Sequence, residues 1–359
     1  MSWLGDDDDE LDEYDDSGFR TRPNPKANRP RTKRRPAHSD AHIARVVGVD
    51  RGRYTVLIDE DGDDEHTTLA VRARELRRQP IVSGDRARVV GDVSGDEGTL
   101  GRIVGIEPRT TLLRRSADDT DQVERIVVAN ADQMVIVVAA ADPEPRPRLV
   151  DRYLIAALDA GMHPMLVVTK TDLADPTAFL AHFEGVDDLE VLTSGRDSMP
   201  VDDLGARLVG HATVFVGHSG VGKSTLVNAL VPSAARATGH VNEVTGRGRH
   251  TSSSTVSLRY RGPEGRGWVI DTPGVRSFGL GHVDPANILA AFTDLAAVAE
   301  ECPRGCTHLP DAPDCAIVEA VAAGGLGERG PARLDSLQRL LGTFSAGADA
   351  ATRRPRLET

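Results

Sequence analysis

The run Gly217-His218-Ser219-Gly220-Val221-Gly222-Lys223-Ser224 fills every fixed position of the pattern G-x-x-x-x-G-K-[ST]. Its glycines let successive backbone N–H groups turn toward one anionic centre, and a helix N-terminus behind them adds a favourable dipole. Lys223 is placed to reach the β- and γ-phosphates of a nucleotide and to act in catalysis. Ser224 is placed to ligate Mg²⁺, with Thr225 next in the same run. The flanks suit the task. Ala212-Thr213-Val214-Phe215-Val216 reads as a buried strand, and Thr225–Leu230 reads as a helix.

Two further segments bear on which nucleotide is bound. The apolar strand Trp268-Val269-Ile270 ends in Asp271-Thr272-Pro273-Gly274. Asp271 is expected to hold Mg²⁺ through water, and the Gly274 N–H to sense the γ-phosphate. Met165–Val168 leads into Thr169-Lys170-Thr171-Asp172, which resembles the N-K-x-D element of GTPases with Thr169 in the place of Asn. A carboxylate at Asp172 accepts from guanine N1 and N2, a donor pair that adenine lacks, so the expected ligand is GTP. Thr193-Ser194-Gly195 resembles the loop that backs the guanine ring in such proteins.

Between the phosphate loop and Asp271 lies Gly246–Ser253, polar, Gly-rich and without periodicity. It reads as a mobile loop in the place of a first switch. Thr251 is the candidate for the γ-phosphate and Mg²⁺ contact, with Ser252 as the fallback. Val275 stands where many GTPases carry a water-orienting Gln, and valine cannot orient water. His250 is the candidate for that role. The order of the segments is that of a circular permutation: the guanine element first, the phosphate loop second, the aspartate last. The second switch therefore leads directly into the C-terminal part of the chain.

The three cysteines all fall in one short stretch. Cys302, Cys306, His308 and Cys315 follow the spacing C-x3-C-x-H-x6-C and supply four soft ligands for one closed, structural Zn²⁺. Four protein ligands leave no open position for catalysis. A disulfide framework is not expected, since the count is odd and no secretory signal is visible.

Taken together, G-H-S-G-V-G-K-S-T-L-V-N, G-R-H-T, D-T-P-G-V-R-S-F and the cysteine cluster resemble the ribosome small-subunit-dependent GTPase A family. Asn130-Ala131-Asp132-Gln133, Asp151-Arg152-Tyr153-Leu154 and Val82-Ser83-Gly84-Asp85-Arg86 add to the likeness, which covers roughly residues 41–345. The resemblance implies an N-terminal OB-fold barrel, a circularly permuted α/β P-loop GTPase domain and a small α-rich zinc-binding module. It implies hydrolysis of GTP to GDP, stimulated by the small ribosomal subunit late in maturation, with that subunit and its rRNA as partners. Three departures stand out, one of which, the pair Thr169 and Val275, consists of variants that the family tolerates. The first two cysteines are one residue closer than the family's spacing, and Leu337 stands where an aromatic is expected. The alternative is a nucleotide-gated RNA- or ribosome-binding scaffold whose hydrolysis is incidental.

The elements that must position these residues divide the chain. Residues 1–40 are poor in apolar side chains and split into an acidic block (Asp6–Asp16) and a basic one (Arg20–Arg35), so they read as a disordered charged tail. Residues 41–110 alternate five short apolar strands with turns, as an OB-fold barrel requires. Arg72, Arg74, Arg77 and Arg78 form a local basic cluster there. The GTPase domain is expected over 111–293, the zinc module over 294–345 and a flexible tail over 346–359. Helical stretches are predicted at Ile288–Val298, Ala316–Ala323 and Arg333–Leu341. The net charge of −12 opposes RNA binding by a uniform surface, so charge placement must decide it. No apolar run spans a membrane, and a cytoplasmic monomer is expected.

Overall fold

The computed structural model describes residues 38–77, 79–116, 124–186, 189–234, 255–272, 278, 280 and 283–352, with side chains to residue 343. The expectations for His250, Thr251, Ser252, Gly274, Val275 and the charged tail up to residue 37 lie outside the described residues.

Five strands open the described chain: β1 (His42–Asp50), β2 (Arg53–Ile58), β3 (His66–Arg72), β4 (Arg86–Gly91) and β5 (Gly101–Ile106). They pair in the order β1-β2-β3-β5-β4, and β4 returns to β1 through Ile43↔Arg88 and Arg45↔Arg86. The ring is closed, so no edge is left for aggregation. Period-2 alternation aims Ala44, Val46, Tyr54, Val56, Ala70, Val89 and Ile103 into one small core.

A separate hairpin, β6 (Leu112–Ser116) and β7 (Glu124–Ala129), leads from the barrel to a mostly parallel sheet, which is continuous with the barrel where Gly48 of β1 pairs with Val256. That sheet contains β8 (Gln133–Ala139), β9 (His163–Thr169), β10 (Glu190–Ser194), β11 (Ala212–Gly217), β12 (Val256–Gly262) and β13 (Gly265–Asp271). Its order is β10-β9-β8-β11-β13-β12, parallel except for β12, which forms an antiparallel hairpin with β13. Strands covered on both faces read as unbroken apolar runs, and all seven residues of β8 are buried. Alternate β8 residues serve opposite cores. Met134, Ile136 and Val138 face α1 (Pro147–Asp159), while Val135, Val137 and Ala139 join α3 (Val201–Leu208) and α4 (Lys223–Leu230). A single turn, α2 (Thr177–Leu180), lies between β9 and β10.

The C-terminal part is helical: α5 (Pro285–Ala290), α6 (Thr293–Ala299), α7 (Ala316–Ala322) and α8 (Gly330–Thr352). Two features differ from the sequence reading. The stretch Ile288–Val298 is two helices, broken where Phe292 adopts a non-helical conformation and sinks into the core. The last helix runs through 346–352, where a flexible tail is expected. The helices around the cysteine cluster have no core of their own, as a module this small requires. Ile288, Phe292, Leu295, Leu337 and Leu340 bury in the same cluster as Val150, Tyr153 and Leu154 of α1. Leu337, in the place of the expected aromatic, is fully buried there.

Barrel and parallel sheet are joined by two segments that resemblance alone singles out in the sequence. Gly84 has φ +89°, and a Cβ there would lie 2.0 Å from the Ala129 carbonyl oxygen, so only glycine fits. The Ala129 N–H donates to Ser83 O, Asn130 Nδ2 donates to Gly84 O, and Ser83 Oγ meets Ser257 Oγ of β12 at 2.7 Å. Asp85 is fully buried and receives both Nε and Nη2 of Arg109 at 2.6 and 2.8 Å. No helix among the described residues is long and apolar enough to cross a membrane.

Candidate nucleotide and metal sites

The parallel strands β9, β10, β11 and β13 all end at one edge of the sheet, the edge where open α/β sheets bind ligands. Each strand end carries one of the segments singled out above. β11 ends at Gly217, and the loop to α4 turns through Gly222, whose φ of +90° a side chain would strain. Lys223 and Ser224 therefore open α4, with the loop amides at its N-terminal end. β13 lies parallel to β11 with Phe215 opposite Asp271. Lys223 Nζ donates to Asp271 Oδ1, an ion pair shielded from solvent on the lysine side. The lysine and the aspartate expected to serve phosphate and Mg²⁺ thus hold each other. Thr272 Oγ1 donates to the Phe215 carbonyl at 2.8 Å and fixes the strand end.

The guanine element sits on the other side of the loop. Thr169 ends β9, and its Oγ1 donates to Val221 O of the phosphate loop at 2.5 Å. The hydroxyl that replaces the usual amide therefore ties base element and phosphate loop together. Lys170, at φ +56°, extends Nζ to the Asp142 carbonyl. β10 pairs with β9 so that Ser194 faces Thr169, and the Thr171 N–H donates to Ser194 O at 3.2 Å. Asp172 Oδ1 accepts from the Arg196 N–H at 3.0 Å. The loop after Thr193-Ser194-Gly195 is thereby placed against Asp172. His218 is exposed, its Nδ1 3.1 Å from Ser219 O.

Sequence reasoning leaves Asp151, Arg152 and Tyr153 without a task, and the structure gives them one. Arg152 Nη2 donates to the Phe278 carbonyl at 2.6 Å, and Tyr153 meets the Phe278 ring edge-on with centroids 5.7 Å apart. Phe278 lies just beyond the Asp271–Gly274 segment. Asp151, one residue earlier, is buried and pairs with Arg339 of α8, which also donates to His182 O at 2.7 Å. Burial pushes the Asp151 carboxyl up, against the pull of the Arg339 charge. Arg339→Ala should destabilise the chain by about 3–5 kcal/mol at neutral pH, because the carboxylate is left buried and unpaired. A carboxyl raised above its unfolded value loses stability as pH rises from the unfolded pKa through the folded one. The deficit in denaturant melts should therefore shrink toward pH 4.

The four candidate metal ligands lie together. Side-chain donor atoms of Cys302, Cys306, His308 and Cys315 all lie within 4.8 Å of one another. Cys302 Sγ and Cys315 Sγ each stand 3.7 Å from His308 Nδ1 and 4.0 Å from each other. Tetrahedral Zn–S and Zn–N bonds of about 2.3 and 2.0 Å imply ligand separations of roughly 3.5–3.8 Å. Cys302, His308 and Cys315 fit zinc with shifts of a few tenths of an ångström, and Cys306, within 4.8 Å of the others, completes the set of four. Burial pushes the Cys315 thiol up to about 11 and the His308 imidazole below its usual value. Cys315 opens α7 and Cys302 follows α6, so a metal here would fasten those helices together.

The family model for the RsgA GTPase matches residues 106–281. A curated protein of Pseudomonas syringae pv. tomato, Small ribosomal subunit biogenesis GTPase RsgA, is 42% identical over 253 residues, covering 68% of this chain and 70% of that protein. Small ribosomal subunit biogenesis GTPase RsgA 1 of Vibrio vulnificus is 38% identical over 290 residues, covering 78% and 79%. Among solved structures, YjeQ from Thermotoga maritima matches with a TM-score of 0.61 at 24% identity, over 85% of this chain and 99% of that one. YloQ, described as a circularly permuted GTPase, matches with a TM-score of 0.60 at 25% identity, over 90% and 99%. With the permuted strand order, the phosphate loop and the Cys₃His cluster in place, this chain belongs to the RsgA GTPase family.

Proposed function

We propose that this chain is a GTPase of small ribosomal subunit biogenesis, which binds that subunit and hydrolyses GTP to GDP and phosphate under its stimulation. The observation that carries this reading is the convergence of Thr169–Asp172, Gly217–Thr225 and Asp271 on one sheet edge. Asp172 reads the guanine N1 and N2 donors, Thr169, Lys170 and Thr171 frame the base, and the loop amides of Gly217–Gly222 take the phosphates. On nucleotide binding Lys223 leaves Asp271 for the β- and γ-phosphates. Asp271 is then free, with Ser224, to hold Mg²⁺, which neutralises charge on the γ-phosphoryl as it departs. Thr251 and Gly274 hold the γ-phosphate from the two switches, and His250 orients the attacking water.

The working parts are a barrel over 41–110, the permuted domain over 111–293 and the zinc-bearing helices from 294, with Cys302, Cys306, His308 and Cys315 around one structural Zn²⁺. The barrel takes rRNA through exposed arginines such as Arg74 and Arg77. Arg72 serves the barrel instead, donating to Tyr54 Oη at 2.8 Å. The protein acts as a cytoplasmic monomer. Co-sedimentation with purified small subunits tests the partner: retention with a non-hydrolysable GTP analogue and release with GDP is expected. Equal retention in both states argues for a ribosome-binding scaffold without a nucleotide gate.

A further inference from the structure

The loop between β2 and β3 is Asp59-Glu60-Asp61-Gly62-Asp63-Asp64-Glu65, six carboxylates in seven residues on a barrel expected to meet RNA. Its own backbone holds it in shape. The Asp61 N–H donates to Glu65 Oε2 at 3.0 Å, the Asp64 N–H to Asp59 Oδ2 at 3.1 Å and the Gly62 N–H to Asp59 O at 2.8 Å. The result is a preformed knuckle that presents carboxylates at fixed positions.

The knuckle sits on the β12–β13 hairpin of the other sheet. Arg259 and Arg261 are two apart on β12, and their cross-strand partners are Trp268 and Arg266, so all four share one face. Arg259 pairs with Glu60 at 3.7 Å, with Glu65 at 3.6 Å and with Asp61. Arg261 pairs with Glu65, and Arg266 with Asp61 at 3.5 Å. The guanidiniums of Arg45 and Arg259 lie 5.0 and 4.8 Å from the Trp268 ring centre. Beside this stack a cleft of about 480 Å³ opens, with Arg86 also in its lining. Three arginines and an indole on one face, next to an open cleft, form the kind of surface that tracks a nucleic-acid backbone. The acids do not saturate it. Arg259 Nε and Arg45 Nη1 are buried with no hydrogen-bond partner among the described residues.

We propose that the acidic knuckle is an internal stand-in for RNA phosphates, seated on an arginine face of β12–β13 that takes the backbone of ribosomal RNA once the knuckle is displaced. This adds a regulated contact to the RNA-binding reading above and rests on it. The outer part of the pairing is solvent-exposed, with the Arg261, Arg266 and Asp61 side chains 53, 49 and 58% exposed, so a dense polyanion can compete there first. Such a knuckle would let an acidic chain reject stray nucleic acid yet accept a partner presenting many phosphates together.

The experiment compares the full-length wild type with two variants of equal net charge. Asp61→Asn/Glu65→Gln removes the charged partners of Arg261 and Arg266 and leaves Arg259 only Glu60. Asp63→Asn/Asp64→Asn removes the same charge from the same loop, at side chains that pair with no arginine among the described residues. Binding of fluorescent single-stranded RNA is read by anisotropy across a salt series. Asp61→Asn/Glu65→Gln should bind about fivefold tighter or more, and its salt slope should steepen by about 0.7 for each additional phosphate that the protein neutralises. The control should move much less, and adding Arg261→Ala/Arg266→Ala should erase the gain. Equal gains in both neutralised variants, or a gain that survives loss of the two arginines, overturns the proposal. Small-subunit pelleting separates the two readings. If the wild type pellets with subunits and Asp61→Asn/Glu65→Gln binds RNA no tighter, only this inference fails; if neither binds RNA or subunits, the RNA-binding reading fails with it.

Discussion

Asp172→Asn should weaken GTP binding by about two to four orders of magnitude and turn the site toward xanthosine triphosphate. The carboxylate is expected to accept two charge-assisted hydrogen bonds from guanine, each worth about 1.5–3 kcal/mol. In the structure Asp172 Oδ1 already accepts from the Arg196 N–H at 3.0 Å. An asparagine keeps that bond through its own oxygen and so turns its NH₂ toward the base. It then faces guanine N2 donor to donor, whereas xanthine presents an oxygen at that position. Titration of fluorescent GTP and XTP analogues against both proteins checks this. Unchanged GTP affinity in the variant would remove Asp172 from base recognition.

The second large effect concerns the metal. Purified protein should carry one zinc per chain, and Cys315→Ser should abolish retention of that zinc. Zinc in small structural sites supplies roughly 10 kcal/mol or more of folding free energy. Here Leu337, Leu340, Ile288 and Phe292 also anchor the helices on α1, so apolar burial retains part of the fold. The melting temperature should fall by about 5–10 °C, given about 1–2 °C per kcal/mol for a chain of 359 residues. Hydrogen exchange should locate the loss in α6 and α7 and leave the barrel protected. Full metal-free protein with an unchanged melt would contradict a structural role.

The shared core also bears on how the nucleotide state reaches the zinc region. The permuted order makes a swing of that region after hydrolysis an attractive expectation. A large swing would strip Leu337 and Leu340 from α1, a cost that burial of this extent argues against. The nearer route is Phe278, whose carbonyl Arg152 holds and whose ring packs on Tyr153, one and two residues along α1 from the Asp151–Arg339 pair. A shift of the second switch would pull first on that helix.

Much of this is legible in the sequence because the determining interactions are local. The barrel strands are predictable to within a residue or two, since alternation and turn residues mark each one. The phosphate loop and the cysteine cluster can be read directly, because their chemistry requires fixed spacing. What escapes depends on distant partners. Helix α3 carries Gly205 in its interior, a weak helix former, and the reason lies on β12: a Cβ there would meet Tyr260 Oη at 2.2 Å. Strand β12 escapes because the polar loop before it blurs its start, and its arginines find their partners on the barrel some 200 residues away in sequence. Asp151 has no task in the sequence because its partner, Arg339, comes from the far end of the chain. The break at Phe292 is set by a core to which α1 contributes, not by helix propensity.

GTP turnover measured with and without isolated small ribosomal subunits tests the central claim most directly, with large subunits and ATP as controls. Slow turnover alone and a rise of about a hundredfold or more with small subunits only, for GTP only, is the predicted result, since an activator that orders a catalytic group typically contributes on that scale or above. An unchanged rate with small subunits would contradict a subunit-stimulated GTPase and leave a nucleotide-gated binder in its place.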